Sequence, residues 1–265
     1  MHAKKPSARV FTMLTSTFLH LPRIGPRLEQ TLWSQGIDSW WAFLDAQRIS
    51  GISPRRKIGY DMAIRRATHA LEAEDSTYFA KNLPTHAVWR LWPHFKDDAV
   101  FLDIETSGYY GDVTVVGLYS EDGVHTFVAN RNLDRETFSR VLSRYKLIVT
   151  FNGASFDLPV LSRYFNMTFE HPHIDLRPVC NHLGLRGGLK SIERQIGIKR
   201  PEELDGMDGY EAVILWDLYR RTGEERYLER LVDYNAQDII NLKPLAEFAI
   251  PRLWKAIRNV KNHSL

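Results

Sequence analysis

Cysteine is nearly absent: Cys180 is the single one in 265 residues. No internal disulfide can form, and zinc sites built on cysteine pairs are excluded. A lone thiol suits a reducing compartment, so the expected location is cytoplasmic. Long apolar runs are also missing. None approaches the roughly 20 residues that span a bilayer, and the N-terminus lacks the profile of a secretory signal. No membrane partner is expected. There is no internal repeat and no low-complexity tract. Net charge is small, at +3.

That charge is unevenly placed. Residues 1–97 hold 14 Lys and Arg against 8 Asp and Glu, whereas residues 98–265 hold 21 against 24. A basic front half ahead of a carboxylate-bearing back half suits a polyanionic substrate met by a metal site. Random scatter of surface charge would give the same counts. A hydrophobic content of 44% and this length allow one large or two modest soluble domains.

The chain divides on pattern. Residues 1–16 are short, basic and polar and are expected to be poorly ordered. Residues 17–84 read as a small all-α domain. Leu21-Pro22-Arg23-Ile24-Gly25-Pro26 is a tight turn. Ser39 is placed to cap a helix carrying Trp40, Trp41, Phe43 and Leu44, and Arg55 to Glu74 has helical spacing. Residues 85–97, with Trp89, Leu91, Trp92 and Phe95, read as an aromatic linker. From residue 98 to 265 the pattern turns α/β. Strands are expected at Ala99–Leu102 and onward, Asp112–Tyr119, Val124–Val128 and Leu147–Phe151, the first three joined as antiparallel hairpins. Helices are expected at Asp134–Tyr145, Leu158–Phe165, Leu189–Ile196, Tyr210–Arg221 and Glu224 to about Ala249, with Pro244 kinking or ending the last.

Three acidic motifs stand out. In Val100-Phe101-Leu102-Asp103-Ile104-Glu105-Thr106 an apolar run leads into two carboxylates one residue apart. On a strand, i and i+2 point to the same side, so Asp103 and Glu105 project together. Two such groups repel unless protonated or bridged by a cation, and hard oxygen donors suit Mg²⁺ or Mn²⁺. Alone, the pair reads equally well as a solvated strand end. Asp157 closes Asn152-Gly153-Ala154-Ser155-Phe156-Asp157, where a strand gives way to a helix, and alone it reads as a helix cap. Tyr234 and Asp238 in Tyr234-Asn235-Ala236-Gln237-Asp238 share a helix face at i and i+4, and alone they read as a hydrogen-bonded pair. Asp175 reads as a helix cap, His171 and His173 as surface histidines, and Cys180 as buried structure.

In order, D-x-E, N-x3-F-D and Y-x3-D resemble the tyrosine branch of the DEDD superfamily of 3′–5′ exonucleases. The likeness covers roughly residues 98–248. More narrowly, Gly188-Leu189-Lys190-Ser191-Ile192-Glu193, Asp208-Gly209-Tyr210-Glu211-Ala212-Val213 and Leu215-Trp216-Asp217-Leu218-Tyr219 resemble the YprB-like ribonuclease-H-like family. The resemblance implies a ribonuclease-H-like mixed sheet flanked by helices. It implies two divalent cations, Mg²⁺ or Mn²⁺, held by Asp103, Glu105, Asp157 and Asp238. It gives Tyr234 the attacking water to orient, and Thr106 the terminal nucleotide to hold. Phe156 would stack on a base or pack in the core. Asn152 would touch substrate or hold its own turn.

The front domain resembles a helix-hairpin-helix module, which grips nucleic-acid backbone without regard to sequence. Its hairpin would be Leu21-Pro22-Arg23-Ile24-Gly25, with Arg23 in place of the first glycine. Arg23, Arg55, Arg56 and Lys57 are the expected phosphate contacts. The expected function is a metal-dependent 3′–5′ exonuclease acting on single-stranded 3′ ends of DNA or RNA. The alternatives are a non-cleaving module that binds nucleic-acid ends and a structure-selective endonuclease on the same fold.

Overall fold

The structure, a computed structural model, describes residues 12–108, 111–204 and 206–259. The chain divides into two units. One holds residues up to Lys96 together with those from Ala256 on, and the other spans Asp97–Lys255.

The first unit is helical: α1 (Pro26–Ser34), α2 (Trp40–Asp45), α3 (Pro54–Glu72), α4 (Ser76–Asn82), a 3-10 turn over Thr85–Leu91 and α5 (Trp92–Phe95). Its helix starts follow local chemistry. The Ser39 and Ser53 hydroxyls accept from Ala42 N and Arg56 N, satisfying amides that a helix leaves open at its N-terminus. Leu14, Phe18, Trp40, Phe43 and Phe79 fill the core. The expectation of a poorly ordered N-terminus up to residue 16 is corrected in part. Residues 1–11 lie outside the described residues, but Leu14, Thr15 and Ser16 are buried. The Trp33 and Trp40 indoles donate to Ser16 O and Thr17 O at 2.9 and 2.7 Å, which anchors that stretch.

Residues 85–96, read from sequence as a linker, fall in this first unit. Arg90, almost fully buried, pairs with Glu29 at 2.8 Å. Glu29 also accepts from Phe18 N at 2.7 Å and Thr17 Oγ1 at 3.0 Å. In the turn before α1, Arg23 adopts φ +62°, the left-handed conformation that glycine takes at least cost.

The second unit holds β1 (Ala99–Thr106), β2 (Val113–Ser120), β3 (Gly123–Val128), α6 (Arg135–Leu142), β4 (Leu147–Thr150), α7 (Asp157–Phe165), β5 (His173–Asp175), α8 (Leu176–His182), α9 (Leu189–Ile196), α10 (Gly209–Thr222) and α11 (Glu225–Arg258). One mixed sheet runs in the order β3-β2-β1-β4-β5. β1–β2 and β2–β3 are antiparallel, and β1–β4 and β4–β5 are parallel. β1 is therefore central, and its alternation sorts its side chains between the faces. Val100, Leu102 and Ile104 join Phe138, Leu142, Leu161 and Phe165 of α6 and α7 in one core. Val115 of β2 meets Trp216 of α10 and Leu228, Leu231 and Tyr234 of α11 in the other.

Two elements differ from the sequence expectation. β5 was not foreseen, whereas α8 is the helix that Asp175 was read to cap. α11 runs through Pro244 and Pro251 to Arg258, past the end expected near Ala249, and Pro244 does not end it. An interior proline costs about 3 kcal/mol in a helix. Here Leu242, Leu245, Ala246, Ala249, Ile250 and Leu253 are all buried along one side of the helix, and burying a Leu or Ile side chain contributes about 1.5–3 kcal/mol each. Among the described residues, no helix is long and apolar enough to cross a membrane.

Candidate active site

The alternation that sends Val100, Leu102 and Ile104 into one core turns Asp103 and Glu105 to the opposite face. There α11 brings Asp238. Ligand oxygens of Asp103, Glu105 and Asp238 all lie within 4.8 Å of one another. Glu105 and Asp238 are buried, and Asp103 is half-buried. Such a group is costly without a cation. Burial, then the charges of Asp157, Asp238 and Glu105, push the Asp103 carboxyl well above the usual range. Burial and the charges of Asp238 and Asp157 do the same to Glu105. Asp238 is raised by burial but held back by Arg200. Three crowded hard-oxygen donors with raised affinity for positive charge fit a divalent cation.

Asp157 stands beside this group rather than within it. It opens α7 and is buried. Its Oδ1 accepts from Ile104 N at 3.1 Å, so it is tied to the strand segment between the two other carboxylates. Burial lifts its pKa to about 7, against the pull of the Asp157 and Ile104 amides.

The turn before α7 is built by side chains. Asp175 caps α8, as expected, and its carboxylate also accepts from Asn152 N at 2.7 Å and Ala154 N at 3.2 Å. Asn152 takes φ +69°, and its Oδ1 accepts from Ser155 Oγ and Arg177 Nη1 at 2.9 and 2.7 Å. Asn152 thus holds its turn. Phe156 is half-buried against the sheet core. Thr106 Oγ1 donates to Gly108 O at 2.9 Å. His171 and His173 are half-buried, not the surface histidines expected. His173 Nε2 lies 2.8 Å from Thr150 Oγ1, and burial holds its pKa down to about 4. Cys180 is buried.

Tyr234 is buried one helical turn before Asp238. Its hydroxyl accepts from Lys190 Nζ at 3.0 Å, and the same ammonium lies 4.3 Å from the ring centre. Burial, then the charges of Asp238, Glu105 and Asp103, raise the phenol pKa above its ordinary value. The hydroxyl therefore keeps its proton at neutral pH.

Four contributors were not singled out from sequence. Asn235 Nδ2 donates to Asp103 Oδ2 at 3.0 Å. Lys190 contacts Tyr234. Arg200 pairs with Asp238 and with Glu193. Glu193 carried a readable signal. It falls in the apolar stripe Leu189, Ile192, Ile196 at helical spacing, and a charge in such a stripe calls for a buried partner.

The four basic residues expected to contact phosphate all belong to the first unit. Arg23 and Arg55 are exposed. Arg56 is committed to the Tyr60 hydroxyl, which its guanidinium meets at 2.5 and 3.1 Å. Lys57 is corrected: it is buried, ion-paired with Asp61 at 2.7 Å and lies over the Phe43 ring, so its charge is not offered to a ligand. It lies two steps of about 100° along the helix from Arg55, far enough to face inward.

A model of the RNase H superfamily matches residues 100–250. The chain belongs to the RNase H superfamily. The match takes in all of the sheet but Ala99, and it includes Asp103, Glu105, Asp157 and Asp238. Among solved structures, the chain is similar to the family B DNA polymerase from the hyperthermophilic archaeon Pyrobaculum calidifontis, at 17% identity and a TM-score of 0.50. The likeness covers 60% of this chain and 25% of the polymerase, and it shows a shared fold. No curated protein matches the chain. Within the RNase H superfamily fold, the carboxylates sit where the central strand and the last helix meet.

Proposed function

We propose that this RNase H superfamily member is a metal-dependent 3′–5′ exonuclease of the tyrosine branch of the DEDD group, akin to the YprB-like family. The gathering of Asp103, Glu105 and Asp238 within 4.8 Å, one helical turn from Tyr234, carries the reading. Asp103, Glu105 and Asp238, with Asp157 beside them, would hold two Mg²⁺ or Mn²⁺ ions. Bound there, divalent ions supply charge neutralisation and a more acidic water for phosphodiester hydrolysis.

The chain's own residues do the positioning. Asn235 fixes the Asp103 carboxylate. The Ile104 amide fixes Asp157. Lys190 donates to the Tyr234 oxygen, which leaves the phenolic hydrogen to orient the attacking water. Water adds to the terminal phosphorus, the bridging 3′ oxygen leaves with a proton, and a nucleoside monophosphate is released. In the helical unit, the exposed Arg23 and Arg55 are the residues offered for backbone phosphates. The proposed substrate is a single-stranded 3′ end of DNA or RNA.

The test is Mn²⁺-dependent digestion of a 5′-labelled oligonucleotide beside a circular single strand. Stepwise shortening from the 3′ end, with the circle intact, is expected. Cutting of the circle would establish an endonuclease instead. Retardation on a gel without any product would establish a binding module.

A further inference from the structure

We infer that Arg200 is a positioning residue: locked by Glu193, it holds the Asp238 carboxylate in the orientation that cation binding needs. This rests on reading the carboxylate cluster as a metal site. Arg200 Nε and Nη2 meet the two oxygens of Glu193 at 2.5 and 2.6 Å. Nη2 also meets Asp238 Oδ1 at 2.5 Å. The Arg200 side chain is 3% exposed and that of Glu193 is 1% exposed, so the guanidinium is not a solvated neighbour that happened to fall nearby.

Glu193 is itself fixed. Asn241, one turn beyond Asp238 on α11, donates to its Oε1 at 3.1 Å. Gln237 Nε2 in turn donates to Asn241 Oδ1 at 2.8 Å. A bidentate pair sets the plane of a guanidinium, which lysine cannot reproduce. The plane so fixed presents Nη2 to Oδ1 of Asp238, one member of the group with Asp103 and Glu105. Ligating carboxylates are commonly oriented in this way by groups behind them. The opposite role is a tethered cation that competes with metal for Asp238, and the two roles predict opposite changes in affinity.

The experiment measures Mn²⁺ affinity from the free-ion paramagnetic resonance signal, using the full chain without nucleic acid. Removing Arg200 alone would strand a buried Glu193, so the main variant is the double substitution E193Q/R200M. A second variant, R200K, retains the charge and loses the fork. Both are expected to bind Mn²⁺ about 10–100-fold more weakly than the parent. Adding E193Q/R200M to D238N should weaken binding no further than D238N does alone, because the effect runs through Asp238. A merely structural role would lower affinity equally in both backgrounds. If E193Q/R200M does not fold, R200K carries the test.

Parental or tighter affinity in the variants overturns the inference, as does full loss on top of D238N. A parent chain that binds no Mn²⁺ removes the metal-site reading itself, and the inference with it. A parent that binds, with no coupling to Arg200, removes the inference alone.

Discussion

Asn235 reaches the Asp103 carboxylate, at 3.0 Å, across the bare Cα of Gly117, the residue paired with Asp103 in the β1–β2 ladder. A Cβ on Gly117 would overlap Asn235 Oδ1 and press on Ile239 Cδ1 at 2.9 Å. Those atoms belong to a packed helix face, so they cannot swing aside cheaply. Gly117→Ala should therefore push α11 off the sheet, destabilise the protein by about 1–3 kcal/mol and weaken Mn²⁺ binding. Urea melts and a metal titration check both halves. A variant as stable as the parent, with the same Mn²⁺ affinity, would show that the close approach does not matter.

Tyr234→Phe removes one hydroxyl and little volume. The Lys190 ammonium keeps its place over the ring, and the carboxylates are untouched. Single-turnover cleavage should fall by roughly 10²–10⁴-fold, the usual contribution of a group acting on a transferring proton, while nucleic-acid affinity measured in Ca²⁺ stays within a factor of about two. An unchanged cleavage rate would reduce Tyr234 to packing.

Asp157 gives the metal-free protein a pH signature. Its folded pKa, about 7, lies above its ordinary value of 3.8. The folded state therefore holds more protons than the unfolded state between those values, and stability is lost as pH rises through about 7. Asp157→Asn cannot titrate and keeps an oxygen for the Ile104 amide. Its stability relative to the parent should grow from pH 4 to pH 8 by an amount on the order of a few kcal/mol. Thermal melts in chelator across that range measure it. A difference that stays flat with pH would refute the assignment.

In the helical unit, Glu29→Gln leaves the buried Arg90 charge without its carboxylate. Breaking a buried pair from one side costs about 3–5 kcal/mol. Replacing both residues by apolar ones of similar volume should recover much of that loss. Circular dichroism melts of the single and double variants decide this, and a single-variant loss under about 1 kcal/mol would mean that the pair behaves like an exposed one.

Much of the sheet was legible because its strands are long and regular. Ala99–Leu102 is a continuous apolar run, and the two-residue repeat of a strand puts Asp103 and Glu105 on one face. β5 escaped notice because it is three residues long, with His173 and Asp175 flanking a single apolar Ile174. It exists only because β4 offers it a ladder. α11 was expected to reach only about Ala249, with a kink or an end at Pro244, because prolines were weighed locally, whereas a continuous buried face decides the outcome. Lys57 was misplaced because Arg55-Arg56-Lys57 looks uniform as text, yet successive residues on a helix point about 100° apart. The carboxylates themselves were readable. What orients them was not, since Asn235, Lys190 and Arg200 act through contacts that no local spacing encodes.

The central strand and the last helix meet at residues 132 positions apart. A ribosome extending this chain lays down all five strands before it reaches Asp238. At about 5–20 residues per second, the roughly 60 residues between the end of β5 and Asp238 occupy several seconds. Through that interval the growing chain holds Asp103 and Glu105 but lacks the carboxylate that completes them. The proposed hydrolytic centre therefore waits for the last of its carboxylates, and a fragment ending before residue 238 is expected to leave nearby RNA intact.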